Sequence, residues 1–230
     1  MTATDKKLIL AKDETTEGEL IYNISNKLIG RGAYSRVYLS HDQDQSVYAI
    51  KKCPVESDGI PNIFETIIMK SFNHPNLNQA TEIYVWKKFL YIIQDLAKSN
   101  LSKLVRTDKG GQPLSLSNLR QNCFKIAQAL AVLHSQDIIH ADIKPSNILV
   151  FDLDDIRLSD FTLALLKHHP DQKYQHMVCS PNYRPLESYL KQPWDQSLDI
   201  WSLGCTFYEM AFGQPLFKNK DNRQCKDKKR

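Results

Sequence analysis

The stretch DIIHADIKPSNILVFDLDDIRLSDFTLAL, Asp137 to Leu165, sets Asp142, Lys144, Asn147 and Asp160 on short loops between runs of isoleucine, leucine and valine. Apolar runs this short read as strands against a core, and a charge placed beside a core is costly unless something satisfies it. Taken singly, each Asp or Asn has a plain reading as a loop residue capping its own backbone. The four stand in one stretch, with five residues from Asp142 to Asn147 and thirteen more to Asp160, which raises the question of what satisfies so many polar groups beside an apolar core.

Downstream, SLDIWSLGCTFYEMAFG, Ser197 to Gly213, is apolar nearly all round and ends on glycine, which predicts a buried helix. Upstream, Leu119, Cys123, Ile126, Ala127, Leu130 and Leu133 share one face of a helix over Leu116 to His134, capped by Ser115 or Ser117. Before a break near Leu96 to Asn100 the texture is that of sheet. EIYVWKKFLYIIQDL reads as a hairpin, and PNIFETIIMKSFNHPNL places Glu65, Met69 and Phe72 at helical spacing, stopped before Pro75. From Ile21 to Cys53 the pattern gives two or three antiparallel strands. The first twenty residues read as a charged extension with one short strand at Leu8 to Leu10.

With 230 residues, 42% hydrophobic, the chain can bury a core in one domain or two packed lobes, which excludes disorder throughout. The formal net charge is +4, and KNKDNRQCKDKKR at the end holds seven Lys or Arg against two Asp, so the basic excess belongs to a tail. Cys53, Cys123, Cys179, Cys205 and Cys225 are odd in number, scattered and without C-x-x-C spacing. Neither a disulfide framework nor a zinc site is indicated, and a reducing interior is expected. No run reaches the ~18 apolar residues of a spanning helix, and the N-terminus has no signal-like apolar stretch. A soluble intracellular protein, cytoplasmic or nuclear, is the expectation. There is no internal repeat.

IGRGAYSRV carries Gly30 and Gly32, where the missing Cβ lets a backbone approach phosphates and positive φ is open. A dinucleotide turn would open a helix, and a P-loop would end in Gly-Lys-Ser/Thr; here the chain continues as the strand RVYLS. A phosphate-covering turn and an ordinary hairpin turn both fit. VYAIK ends in Lys51, a point charge for phosphate oxygens or a solvated lysine. Glu65 falls on the apolar face of the following helix, and pairing with Lys51 would account for a carboxylate there.

In order, Gly30-x-Gly32-x-x-Ser35-x-Val37, Val47-Tyr-Ala-Ile-Lys51, Glu65, His140-Ala-Asp142-Ile-Lys144-x-x-Asn147, Asp160-Phe-Thr162 and Asp199-Ile-Trp-Ser-x-Gly204 resemble the signature set of eukaryotic-type protein kinases. The resemblance covers about residues 21–217 and is nearest to serine/threonine kinases of the cyclin-dependent branch. Compact divergent kinases of this type also occur in large DNA viruses, which would make an infected host cell the setting.

The resemblance implies an α+β, two-lobed kinase-like fold. A 1–20 extension would precede a small antiparallel β lobe with one helix over 21–97. A mainly helical large lobe over 98–217, lacking its last helices, and a basic tail over 218–230 would follow. It implies ATP and Mg²⁺ as cofactors, a protein substrate carrying Ser or Thr, and a place for a regulatory protein partner. Asp142 would accept or orient the substrate hydroxyl and Lys144 would neutralise charge on the transferred group, with Asn147 and Asp160 holding Mg²⁺. Ile29, Gly30, Arg31, Gly32, Ala33, Tyr34, Ser35, Arg36 and Val37 would cover the phosphates, beside Lys51 and Glu65. Val37, Ala49 and Leu149 would sandwich the adenine. Gln94 would be the gatekeeper, and backbone from Asp95 to Ala97 would face the base. His140 and Phe161 would be packing residues.

Four departures from the family pattern qualify this. Ser35 replaces a glycine, and Ala141 replaces an arginine that in relatives meets a phosphorylated activation segment. Thr162 replaces a glycine, which removes positive-φ freedom. Pro185 and Leu186 replace Ala and Pro before Glu187, whose expected arginine partner would lie in helices beyond the chain. Ser180 is a phosphorylatable or merely solvated loop residue. The competing reading is a pseudokinase or decoy that binds a partner through its large lobe. The tail could meet nucleic acid or an acidic membrane through salt-sensitive charge, but it lacks interleaved aromatics and reads as a solvated terminus.

Overall fold

Alternating Ile, Val and Tyr build a sheet in the first part of the chain. The computed structural model describes residues 6–11, 19–32, 35–55, 60–86, 88–169 and 171–218. The chain divides into two compact units, Met1–Ala97 and Lys98–Arg230. In the first, β1 (Lys6–Ala11), β2 (Glu19–Arg31), β3 (Arg36–His41), β4 (Val47–Pro54), β5 (Glu82–Trp86) and β6 (Phe89–Asp95) form one sheet in the order β1-β2-β3-β4-β6-β5. All of its pairings are antiparallel. The expected strand at Leu8 to Leu10 is longer than its sequence signal, because pairing from Lys6 opposite Ile24 to Ala11 opposite Glu19 extends it as the sheet edge.

Between β4 and β5 lies α1 (Ile60–Ser71), with Glu65, Ile68 and Met69 buried at helical spacing. Phe72 falls just outside it, although its N–H still reaches Ile68 O at 3.3 Å. The core of this unit is Tyr22, Ile50, Tyr84, Tyr91 and Ile93. The Tyr22 and Tyr84 hydroxyls both donate to the Glu82 carboxylate.

The second unit contains β7 (Ser99–Asn100), α2 (Leu101–Val105), α3 (Leu116–His134), β8 (Ile138–Ile139), β9 (Ile148–Val150), β10 (Ile156–Leu158), β11 (Leu165–Leu166), α4 (Leu186–Tyr189) and α5 (Ser197–Phe212). The short strands pair as β10-β9-β7 and β11-β8. Ser115 is the α3 cap, its Oγ accepting from Asn118 N at 3.3 Å. The buried stripe of α3 is Asn122, Ile126, Ala129, Leu130 and Leu133. Ala127, expected on that face, is only half-buried, because the stripe is centred on Asn122 and Ala129.

α5 ends at Gly213, whose φ of 70° is open to glycine at little cost. A Cβ there would also lie 2.8 Å from Thr107 Cγ2. The expectation that α5 is buried all round is wrong. It buries a mixed face, with Asp199, Ser202, Thr206 and Glu209 inside beside Leu198, Leu203, Cys205 and Met210, while Ile200 is 57% and Phe212 58% exposed. The polar groups are tolerated inside because they are hydrogen-bonded, Glu209 Oε1 excepted. Ser202 Oγ donates to Tyr183 O at 2.8 Å, Thr206 Oγ1 donates to Ser202 O at 2.8 Å, and Tyr183 Oη donates to Glu209 Oε2 at 2.6 Å. On the outer face Trp201 stacks on Phe217 at 5.8 Å beside a groove of about 590 Å³ that Glu187 also lines.

Candidate functional site

In the first unit, β2 and β3 meet at the glycine turn. Ala33 and Tyr34 lie outside the described residues, as do 219–230 of the tail. Gly32 N–H donates to Ser35 O at 2.9 Å, which closes the turn. Neither Gly30 nor Gly32 occupies the left-handed region, so the positive φ anticipated for them is not what glycine provides. It provides space: a Cβ on Gly30 would stand 3.3 Å from Val37 Cβ, and one on Gly32 would stand 2.9 Å from Ser35 Oγ. Ile29, Arg31, Ser35 and Arg36 flank the turn, and Arg31 pairs across to Arg36.

β4 carries Ala49 and Lys51 inward, two residues apart on one face. Lys51 Nζ lies 2.7 and 2.8 Å from the two carboxylate oxygens of Glu65, with Lys51 6% and Glu65 1% exposed. The pairing makes sense of a carboxylate on the apolar side of α1. On β6, opposite Ala49, Gln94 is buried and its Oε1 accepts from Asn78 Nδ2 at 2.6 Å. Asp95 ends that strand and Ala97 closes the unit.

In the second unit, the loop after β8 is built around Asp199, at the start of α5. Its Oδ2 accepts from His140 N at 2.8 Å and its Oδ1 from Ala141 N at 2.9 Å, while His134 Nε2 lies 2.9 Å from Oδ2. These bonds hold Ala141 at φ 61°, a left-handed conformation that an L-residue reaches only against strain. His140 Nε2 donates to Ser159 O at 3.1 Å and its ring lies 5.3 Å from that of Phe161. His140 and Phe161 are both fully buried, as packing residues are.

The loop then delivers Asp142 to a converging set of donors. Oδ1 accepts from Ser180 N at 3.0 Å and Ser180 Oγ at 2.9 Å. Oδ2 accepts from Lys144 Nζ at 2.6 Å and Asn147 Nδ2 at 3.1 Å. Lys144 also donates to Ser180 Oγ at 2.8 Å. Ser180 is therefore no solvated loop serine: its hydroxyl bridges the lysine and the carboxylate. A one-turn 3₁₀ helix, Pro145–Asn147, follows, with proline setting its first φ. Asn147 Nδ2 also donates to Asp142 O at 2.9 Å, which fixes the amide so that Oδ1 points the other way. Ser159 N and Oγ both donate to Asn147 O at 2.8 Å, tying Asn147 to the residue before Asp160. Leu149 is half-buried on β9.

Asp160 is itself left-handed, at φ 64° and ψ 69°, and a 3₁₀ turn, Phe161–Leu163, follows. The residue whose φ matters here is Asp160, so the threonine at 162 deprives the turn of nothing. Thr162 Oγ1 donates to Asp160 Oδ1 at 2.8 Å. Among the described residues no group of three or more His, Cys, Asp or Glu could hold a metal ion. An amide and a carboxylate whose orientations are fixed fit Mg²⁺, which takes one or two protein oxygens and completes its shell with water and phosphate.

The segment between Asp160 and α4 is pinned by an aromatic seam. Tyr174 and Trp194 exchange two main-chain hydrogen bonds of 2.9 Å, and their rings stack at 4.9 Å. Trp194 Nε1 donates to His176 O at 2.9 Å, and Lys173 pairs with Asp195. Cys179 has φ 63°, and its carbonyl accepts from Arg184 Nη2 at 2.5 Å. Burial pushes the Cys179 thiol up to about 12, so it is not a nucleophile. Glu187, for which an arginine was expected, is half-buried beside the α5 groove.

Ser180, Asp199 and the Thr162 hydroxyl escaped assignment as site residues from sequence. Asp199 stood in a recognisable motif, DIWSLG, but its spacing says nothing of the two N–H groups it accepts. Ser180 carried no local signal at all.

Residues 23–230 match the family described as protein kinase domain. Mouse cyclin-dependent kinase 15 is 34% identical over 200 residues, covering 84% of this chain and 46% of the mouse protein. The human protein of the same name is also 34% identical over 200 residues, covering 84% of this chain and 45% of its own. The chain thus spans less than half the length of these two relatives.

Proposed function

This chain belongs to the protein kinase domain family, and from that premise we propose that it transfers the γ-phosphate of ATP to serine or threonine hydroxyls of protein substrates. The observation that carries the reading is the Asp142 carboxylate, 7% exposed and held by Lys144, Asn147 and Ser180. An acid oriented this firmly accepts and aligns a substrate hydroxyl for in-line attack. Lys144, 2.6 Å from it, supplies positive charge for the group in transit. Lys51, steered by Glu65, pairs with nucleotide phosphates. Asn147 and Asp160 are the residues that would hold Mg²⁺, which when bound neutralises the phosphate oxygens. Ala49, Val37, Leu149 and Gln94 serve the adenine, and the glycine turn from Ile29 to Val37 serves the phosphates.

The similarity to cyclin-dependent kinases supports a regulatory protein partner. Free thiols at Cys53, Cys123, Cys179 and Cys205 support an intracellular setting. Among the described residues no helix is long and apolar enough to cross a membrane.

The test is Mg²⁺-dependent incorporation of labelled phosphate from ATP into a generic basic protein by the purified chain. Labelling by wild type and its loss in Asp142→Asn are the expected results. Equal labelling by wild type and Asp142→Asn, or none by either, would reject the proposal.

A further inference from the structure

Asp160 is held at two levels. Its backbone is fixed by Phe161, fully buried and 5.3 Å from the His140 ring, and by the 3₁₀ turn that follows. Neither feature sets the rotation of the carboxylate about its own side-chain bonds. That rotation is met by Thr162, whose hydroxyl reaches back two residues to Asp160 Oδ1 at 2.8 Å. Threonine suits the task, since β-branching stiffens χ1 and leaves the hydroxyl few alternatives. The turn supplies the rest: Asp160 at φ 64° and ψ 69° starts a single 3₁₀ turn that brings residue 162 over it. A glycine there could make no such bond.

We propose that Thr162 is a positioning residue that fixes the Asp160 carboxylate through this hydrogen bond and thereby sets the chain's affinity for its divalent ion. The proposal rests on the reading of Asp160 as a metal-holding residue. A carboxylate already turned to its binding orientation loses less freedom when an ion arrives. Groups that orient metal ligands are commonly worth ~10–100-fold in affinity. The relevant quantity is therefore binding of the ion itself, apart from turnover.

The experiment titrates Mn²⁺ by electron paramagnetic resonance into the whole chain with a non-hydrolysable ATP analogue present. It compares wild type with Thr162→Val, Thr162→Ala and Thr162→Ser, and records melting temperature and metal-free analogue affinity for each. The expected result is Mn²⁺ binding weakened about tenfold or more in Val and Ala and kept within about twofold of wild type in Ser. Melting temperature and metal-free analogue affinity should stay unchanged. Val and Ala variants that bind Mn²⁺ like wild type would overturn the proposal, as would a Ser variant as weak as Val. If Val does not fold, Ala carries the comparison, because it lacks the hydroxyl and adds no bulk. Failure of wild type itself to take up Mn²⁺ would overturn the reading of Asp160 and this proposal together, whereas uptake without a hydroxyl effect overturns this proposal alone.

Discussion

Replacing Lys51 by methionine would remove a charge from a buried pair and leave the Glu65 carboxylate, 1% exposed, without its ammonium. Such half-broken pairs lose about 3–5 kcal/mol. For a chain of this length each kcal/mol is worth about 2–4 °C, so Lys51→Met should melt ~6–20 °C below wild type. The double variant Lys51→Met/Glu65→Met exchanges both charges for apolar groups of similar length, a change that is often neutral or stabilising. It should regain most of the loss. Differential scanning fluorimetry without nucleotide reads both effects in the folded apo protein. A Lys51→Met melt within ~2 °C of wild type, or a double variant no more stable than the single one, would refute the argument that the loss comes from leaving the buried Glu65 charge without its ammonium. The result governs how activity assays are read, because a dead Lys51→Met protein that is also partly unfolded says nothing about phosphate binding.

Ser180→Ala should lower kcat by about 10- to 150-fold, the equivalent of one hydrogen bond to a charged group at about 1.5–3 kcal/mol, while the Ser180 N–H bond to Asp142 persists. Ser180→Thr should restore it, and unchanged kcat in the alanine variant would contradict the bridging role. Burial raises the Glu209 carboxyl above its usual range, opposed by the Tyr183 hydroxyl, Arg106 and Lys109 and aided by Asp108. A raised carboxyl stabilises most below the ordinary Glu range, and that contribution is lost as pH rises through the raised value. Wild type should therefore gain stability relative to Glu209→Gln as pH falls toward the ordinary Glu value of about 4.3, and a difference that does not vary with pH in thermal melts would contradict this.

Much of the fold could be read from local pattern. Strand alternation and turn residues carried β2 to β6, and Lys51 and Glu65 betrayed each other, since a carboxylate on an apolar helix face calls for a cation. Asp142, Asn147 and Asp160 stood out only through their place in a family motif, and no local pattern marks them. Hydrophobicity misled where the interior is partly polar: α5 reads as apolar all round, yet beside Leu198, Leu203 and Met210 it turns Asp199, Ser202, Thr206 and Glu209 inward, where tertiary hydrogen bonds await them. Contacts between distant loops left no trace in sequence. Ser180 lies 38 residues from Asp142, and no periodicity connects them. The glycines misled in another way, because phosphate-loop chemistry suggested unusual φ where the structure uses only their lack of bulk.

The seam joining Tyr174 to Trp194 bears on control of the protein. A loop fastened by a phosphate gripped in arginine comes loose when a phosphatase acts or when salt rises, since charge attraction is screened. Stacked rings and paired amides answer to neither. With Trp194 1% exposed, the stacked part of this seam should hold its place when salt is raised.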